Sequence, residues 1–337
     1  MRHRGRIENA MHRRRRILGI AAAACAPLAR PALAQGAAFP ERPVRLVVAF
    51  PPGGPTDVVA RILAERMARD LGQPVVVENR GGANGNIAAE AVAKAPPDGY
   101  TVLYNTSSIA ISRALYRSLP YDVLRDLSPV ALTAASPLAL VVHPSLPPRD
   151  PPGFIAWAKA SGGRVSYSSG GVGNISHLLS FLVLRHIGAE ATHVPYRGTA
   201  AALTDAAAGN VQFTSDTVVT ALPLIQEGRV RAIAVSSAAR TPLLPDVPSM
   251  AEAGMMPPGF EVGAWQGILA PARTPPAAVS RLNAAVRAAL ADPEVRARLA
   301  AQGAQPTGGA PEDYARHLRE EVERWGRVVA ESGATAE

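Results

Sequence analysis

The sequence predicts an α/β protein of two lobes joined by a hinge, and three observations carry that expectation. A short apolar run, a glycine-rich bend and an amphipathic segment follow one another at residues 44–71, and the same order returns at 73–95 and at 164–187. Strands linked by helices run parallel, so their carboxyl ends, and the small polar residues there, gather along one edge. A last strand at 263–270 and three helices come only after the second series. The first lobe is therefore expected to be discontinuous, about residues 40–140 plus 262–337, with the second at 141–261 and a mixed sheet in each. Two chain crossings make a hinge suited to closure around a ligand.

The first unit sets the pattern. Leu46, Val47, Val48, Ala49 and Phe50 form the apolar run of a strand covered on both faces, and Pro51, Pro52, Gly53, Gly54 and Pro55 break it. Val58, Val59, Ile62, Leu63, Met67 and Leu71 have helical spacing, with Thr56 or Asp57 as the N-cap. A glycine turn at the positive end of a helix suits an anion; the plain alternative is an ordinary βα turn. A second strand over 73–80 leads through Gly81-Gly82-Ala83-Asn84-Gly85-Asn86 to a helix at 87–95. A third at 100–104 ends in Asn105-Thr106-Ser107-Ser108. Residues 116–128 read as irregular. Two apolar stretches in 129–142, split by Ser136-Pro137, read as strands crossing to the second lobe.

There, a short helix at 154–160 precedes Ser166-Tyr167-Ser168-Ser169-Gly170-Gly171-Val172-Gly173-Asn174, a strand and bend before a helix carrying Leu178, Leu179, Phe181, Leu182 and Ile187. Strands at 192–194, 211–214 (ending at Ser215-Asp216) and 230–235 alternate with helices at 200–208 and 218–227. Helices at 275–290, 293–302 and 311–331 close the chain, the last with Tyr314, Leu318, Val322, Trp325 and Val329 on one face.

At 337 residues, 47% hydrophobic and 18% charged, the chain is globular, with room for about two domains. Its net charge of +8 is concentrated at the start. Residues 1–34 hold eight of the 35 basic residues, all arginine, and one of the 27 acids, Glu8, leaving 27 basic and 26 acidic residues and a net charge of +1. Nucleic-acid binding is thereby excluded. The segment has the parts of an export signal: Arg13 to Arg16, an apolar run at 17–28, and Ala32-Leu33-Ala34 as the cleavage pattern. The arginines loosely resemble a twin-arginine signal, and Met11 is an alternative start. The only cysteine, Cys25, lies in this signal, so the mature chain has no disulfide or thiolate. A lipid anchor there is disfavoured, because Ala22-Ala23-Ala24 lacks a larger aliphatic residue. No later apolar run reaches the roughly 18 residues of a membrane span.

The reactive residue types form no catalytic set. Ser169 or Ser176 could serve an exported hydrolase, but Gly-Asn-Ile-Ser-His lacks the second glycine of a nucleophile elbow. Ser176 and His177 are adjacent, so on a helix they point about 100° apart. The glycine clusters match neither the Walker nor the dinucleotide fingerprint. The seven histidines show no metal-ligand pairing, and no cofactor is expected. Trp157, Trp265 and Trp325 read as core residues. Arg197 is a carboxylate clamp or a surface turn residue. What remains is a set of neutral donors, hydroxyls, amides and glycine N–H groups, in the turns at 53–57, 84–86, 106–108, 168–174 and 197–199.

Several stretches resemble a known family: residues 43–57 (PVRLVVAFPPGGPTD), 77–86 (VENRGGANGN), 97–100 (PDGY), 194–199 (VPYRGT) and 244–250 (LPDVPSM). Over nearly all of the mature chain, in order, the sequence is similar to the extracytoplasmic solute-binding receptors of the tripartite tricarboxylate transporters, the Bug or TctC-like proteins. That resemblance implies a two-lobed periplasmic binding protein of type II, a Venus flytrap, that captures a small organic carboxylate and hands it to membrane permease subunits. Presentation to a signalling partner is the sensor alternative. It implies ligand contacts at Pro52, Gly53, Gly54, Thr56, Asn84, Thr106 and Ser107, faced by Ser168, Ser169, Gly170, Asn174, His177, Thr199 and Asp216. Asp57 would cap its helix. A monomer is expected, and backbone-based recognition leaves the ligand unnamed.

Overall fold

The computed structural model describes residues 39–336. The export signal, Met11 and Cys25 lie outside them. The strands are β1 (Val44–Val48), β2 (Val75–Asn79), β3 (Thr101–Thr106), β4 (Leu127–Val142), β5 (Ser166–Ser169), β6 (Thr192–Pro195), β7 (Phe213–Thr217), β8 (Arg231–Val235), β9 (Gly263–Pro271) and β10 (Gln305–Pro306). The helices are α1 (Pro55–Leu71), α2 (Asn86–Ala93), α3 (Ser108–Leu115), α4 (Pro151–Ala160), α5 (Ile175–Ile187), α6 (Thr199–Ala207), α7 (Val218–Gln226), α8 (Pro276–Ala291), α9 (Pro293–Ala301) and α10 (Pro311–Ser332).

The strands follow one path, β2-β1-β3-β9-β4-β7-β5-β6, with β8 and β10 added on β4. Both ends of the path are parallel triplets: β1 between β2 and β3, and β5 between β6 and β7. The middle is antiparallel. β4 joins the halves. Up to Pro137 it pairs with β9; from Leu138 it pairs with β7 and β8.

The two strands expected on either side of Ser136-Pro137 are therefore one. Pro137 lacks an N–H but fits an extended backbone, and it sits where β4 changes partners, so no ladder bond is lost. Ser236, just past β8, secures the handover: Leu138 N donates to its Oγ at 2.8 Å, and Ser236 N donates to Leu138 O at 2.8 Å.

β1 is covered on both faces, as its apolar run requires. Val44, Leu46 and Val48 meet α1, α8 and α9, while Val47 faces the cluster of α2, α3 and α10. That second cluster continues into α4 and α5, so one core serves both halves. The indoles of Trp265 and Trp325 each donate to Glu321 Oε2 at 2.9 Å, fastening α10 against β9. α3 was not foreseen, although Ile109, Ile111 and Leu115 bury its inner face.

The start of α1 corrects the expected cap. Gly54 is the N-cap, without a side-chain bond, and Pro55, Thr56 and Asp57 are the first three helical residues. Proline's fixed φ favours the first helical position, which starts the helix earlier than Thr56 or Asp57 would.

Candidate functional site

The halves repeat one plan. β1–α1 corresponds to β5–α5, β2–α2 to β6–α6, and β3–α3 to β7–α7. Between them lies a cavity of about 160 Å³. For scale, about 150 Å³ admits benzene. Five helix starts reach it: Pro55 and Thr56 of α1, Ser107 and Ser108 at α3, Asn174 to Ser176 at α5, Thr199 of α6, and Thr217 at α7. Ser136 and Leu138 of β4 and Ala264 and Gln266 of β9 form the wall between. Among the described residues the lining holds no lysine, arginine or histidine, and one acid, Asp216. Helix dipoles, with first-turn N–H groups that no carbonyl of their own helix takes, make such a space electropositive without a formal charge.

In the first half, a buried carboxylate shapes the turn. Asp57 Oδ2 accepts from Gly53 N (2.9 Å) and Arg61 Nε (2.9 Å), and Oδ1 accepts from Asn79 Nδ2 at 2.8 Å. Asn79 Nδ2 also donates to Phe50 O at 3.0 Å, bracing the chain before the bend. Burial works to raise the Asp57 carboxyl, but the bonds from Arg61, Gly53 and Asn79 outweigh it and hold the group below the usual range. Gly53 adopts φ +80°, a conformation glycine enters freely. Next door, Ala83 and Asn84 have φ of +46° and +56°. Asn84 lines the cavity, and asparagine tolerates that region best among residues with a Cβ. At β3, Asn105 Oδ1 accepts from Thr106 N at 2.7 Å, and Thr106 Oγ1 donates to Ser108 Oγ at 3.0 Å. Tyr104 OH donates to Gln266 Oε1 at 2.9 Å, leaving the Gln266 amide N–H groups as donors.

The second half holds its turns with uncharged groups. Asn174 caps α5 by accepting from Ser176 N (3.0 Å) and Ser176 Oγ (2.8 Å), and Ser176 Oγ accepts from Gly170 N at 3.0 Å. His177 Nδ1 accepts from Gly173 N at 3.1 Å. Its ring stacks on His193 at 3.8 Å between centroids, and His193 Nε2 meets Ser169 Oγ at 2.6 Å. Burial pushes His177 down to about 4, with His193 adding to it, and burial alone pushes His193 down to about 4. Both rings are neutral at pH 7. Asp216 Oδ1 accepts from Thr217 N at 2.7 Å. Among the described residues Oδ2 is buried with no donor in full hydrogen-bond geometry, although the Thr199 hydroxyl is close enough to act on this carboxyl as a weak donor. Burial pushes this carboxyl up to about 7, against smaller opposing effects of the Thr217 N–H and the nearby Thr199 hydroxyl.

Of the residues singled out from sequence, Thr56, Asn84, Thr106, Ser107, Asn174, Thr199 and Asp216 line the cavity. Pro52, Gly53, Gly54, Ser168, Ser169, Gly170 and His177 do not. The Gly53 N–H is taken by Asp57, and Ser168 Oγ donates to Ala202 O at 2.9 Å. Ser169 and His177 find their partners inside the second half, Ser169 in His193 and His177 in Gly173 N. Gly170 is a packing glycine, since a Cβ there would stand 2.6 Å from Thr199 Cγ2. Arg197 is exposed and outside the lining. Trp265 and Trp325 are core residues, as expected. The Ser169–His193 contact has a nucleophile–base distance, but Ser169 is fully buried and neither residue lines the cavity. Sequence reasoning missed Ser136, Thr217, Thr220 and Gln266. A polar residue inside the apolar run of β9 was the available signal for Gln266.

Two α/β halves that share a core, joined by a through-running strand and facing one another over neutral donors, define a binding protein of the periplasmic type. The profile of the tripartite tricarboxylate transporter family receptor, TctC, matches residues 59–334, and the chain belongs to that family. It is 43% identical over 294 residues to a protein in the tcbD-tcbE intergenic region of Pseudomonas sp. strain P51, covering 87% of each chain. It is 40% identical to protein BugT of Bordetella pertussis, over 88% of this chain and 91% of that one. Among solved structures, periplasmic binding protein BugD superposes with a TM-score of 0.75 at 36% identity, over 89% of this chain and 100% of that one. An R. palustris protein solved with adipate gives 0.78 at 39%, covering 88% and 99%. MatC from Rhodopseudomonas palustris, with bound malate, gives 0.74 at 39%, covering 86% and 100%. The resemblance read from sequence and the two-lobed α/β fold are thus borne out. The family is one of periplasmic solute-binding receptors, and the hydrolase and sensor alternatives gain nothing from these likenesses. No helix among the described residues is long and apolar enough to cross a membrane.

Proposed function

We propose that this receptor holds a small organic carboxylate between its halves and delivers it to membrane permease subunits. The observation that carries the reading is the convergence of five helix starts on a cavity that, among the described residues, has no basic side chain. Such a site favours an anion through oriented N–H groups and hydroxyls, which need not be reorganised on binding. The adipate and malate of the two R. palustris proteins are of this chemical class and suit the cavity's size.

Thr56, Asn84, Thr106, Ser107 and Gln266 serve from the first half, and Asn174, Thr199, Asp216 and Thr217 from the second. Pro52, Gly53, Gly54, Ser168, Ser169, Gly170 and His177 act behind the lining, in the turns and strand ends that carry it. The lobes are residues 40–140 plus 262–337 and residues 141–261, closing about β4 and the return into β9. The chain is exported to the periplasm with cleavage near Ala34, the arginine run suiting the twin-arginine route, and works as a monomer without cofactor or catalysis.

A thermal-shift screen against mono-, di- and tricarboxylates, aromatic acids and amino acids tests the reading. A true ligand at about 100 times its Kd adds about 2.7 kcal/mol of stability and is recovered chemically unchanged. Failure of every acid to raise Tm would refute the proposal.

A further inference from the structure

Asp216 and Asn105 stand at corresponding points of the two halves, each at the end of the third parallel strand. The side-chain oxygen of each accepts the N–H of the next residue at 2.7 Å. The backbone geometry therefore accepts an amide or a carboxyl equally. The first half uses the amide, and Asn105 is 1% exposed and outside the cavity lining. The second half uses a carboxyl, and Asp216, 2% exposed, lines the cavity with Oδ2 unpaired.

An unpaired carboxyl oxygen away from water is unfavourable until a donor meets it. Ala139 stands beside Asp216 on β4, Thr217 N donates to its Oδ1, and the Thr199 hydroxyl of α6 acts on the carboxyl as a weak donor; none of these groups is charged. Among the described residues no lysine or arginine lines the cavity to pair with it. An anion placed next to an ionised Asp216 would be repelled, and at neutral pH the group is poised between its two forms.

We propose that Asp216 Oδ2 accepts a hydrogen bond from the ligand itself, so that the site selects organic acids bearing an ammonium or hydroxyl group close to the carboxylate over the unsubstituted acids. The carboxylate lies against the helix starts, and the donor substituent turns to Asp216. This rests on the carboxylate-receptor reading and narrows it to 2-amino or 2-hydroxy acids. A site built around an acceptor rejects an analogue that lacks the donor, because the buried acceptor is then left unpaired.

The test is calorimetric titration of the protein with matched trios that differ in one substituent: succinate, malate and aspartate; glutarate, 2-hydroxyglutarate and glutamate; 3-phenylpropionate, 3-phenyllactate and phenylalanine. In whichever trio binds, a substituted member should bind at least tenfold tighter than the unsubstituted one. Whether the hydroxy or amino member leads tells which donor the site takes. In Asp216→Asn the preference should fall to within about threefold. An unsubstituted acid that binds as tightly as its partners would overturn this inference and leave the carboxylate reading standing. A preference that survives in Asp216→Asn would remove Asp216 from the role. Binding by no acid of any trio would overturn this inference, and the carboxylate reading falls with it only if the wider thermal-shift panel also leaves Tm unchanged. The wild-type comparison decides the ligand class even if the variant fails to fold.

Discussion

Asn105 and Asp216 close matching strands with the same bond, yet the turns around them are built differently. In the first half a buried carboxylate, Asp57, is tied by Gly53, Arg61 and Asn79 and stays ionised. In the second half the carboxyl at the cavity is half tied, and the turn above it is held by neutral serine, asparagine and stacked histidine groups. The difference teaches where charge can be kept. A fully paired carboxylate sets a loop; the incompletely paired one is the group proposed to meet the ligand.

Removing the two carboxyls should separate these roles most strongly. Asp57→Ala strips three partners from the first turn and is expected to cost about 3 kcal/mol, in line with breaking a buried charged network. Urea denaturation at pH 7.5 measures it. Asp216→Asn, which keeps the bond to Thr217 N and relieves an unpaired charge, should stay within about 0.5 kcal/mol of wild type or gain stability. Equal losses from both substitutions would break the comparison.

Contact between the halves gives the next effect. Gly173, φ +71°, lies where a Cβ would stand 2.4 Å from the Leu115 methyl groups of α3. Gly173→Ala should lose about 2 kcal/mol from overpacking and backbone strain. Part of that loss should be recovered in a Leu115→Ala background, read as coupling in a double-mutant cycle.

The pH dependence follows from the same contrast. His177 and His193 fold with values of about 4 against an ordinary 6.5, so the folded chain binds fewer protons between these limits and stability rises with pH across them. Asp216 folds at about 7 against 3.8, so it binds more protons and lowers stability as pH rises from about 4 to about 7. The difference between Asp216→Asn and wild type isolates this opposing slope. It should grow in the variant's favour up to about pH 7 and then level off, measured as Tm against pH. A difference independent of pH would contradict the burial of an ionisable group there.

The smallest effect belongs to Gly54. Its φ of −75° suits any residue, and a Cβ would make only an ordinary 3.5 Å contact with Pro51 O. Gly54→Ala should leave stability within about 0.5 kcal/mol, whereas Gly53→Ala, at φ +80°, should lose about 1 kcal/mol.

The parallel triplets were legible because their strands are short apolar runs ended by glycine bends, a local signal that survives in any tertiary setting. The continuity of β4 was not, because proline reads as a break until its position at the change of partners is known. Thr56, Asn84, Thr106 and Thr199 were found because polar residues at strand ends and helix starts share one edge. Gln266 escaped because the phenol that orients it, Tyr104, is 162 residues away. Gly53 and Gly170 fall outside the lining for a physical reason: their N–H groups looked free for an anion, whereas Asp57 and Ser176 occupy them.

The central claim is that neutral donors from both halves grip one carboxylate, and a paired titration tests it most directly. The Kd of the acid that raises Tm most is measured for wild type, Thr56→Val and Thr199→Val, each variant removing one hydroxyl of the lining, one from each half. Each variant should weaken binding by about 3- to 10-fold, the size of one neutral hydrogen bond. Unchanged affinity in either variant, with the fold intact, would contradict a grip shared by the two halves.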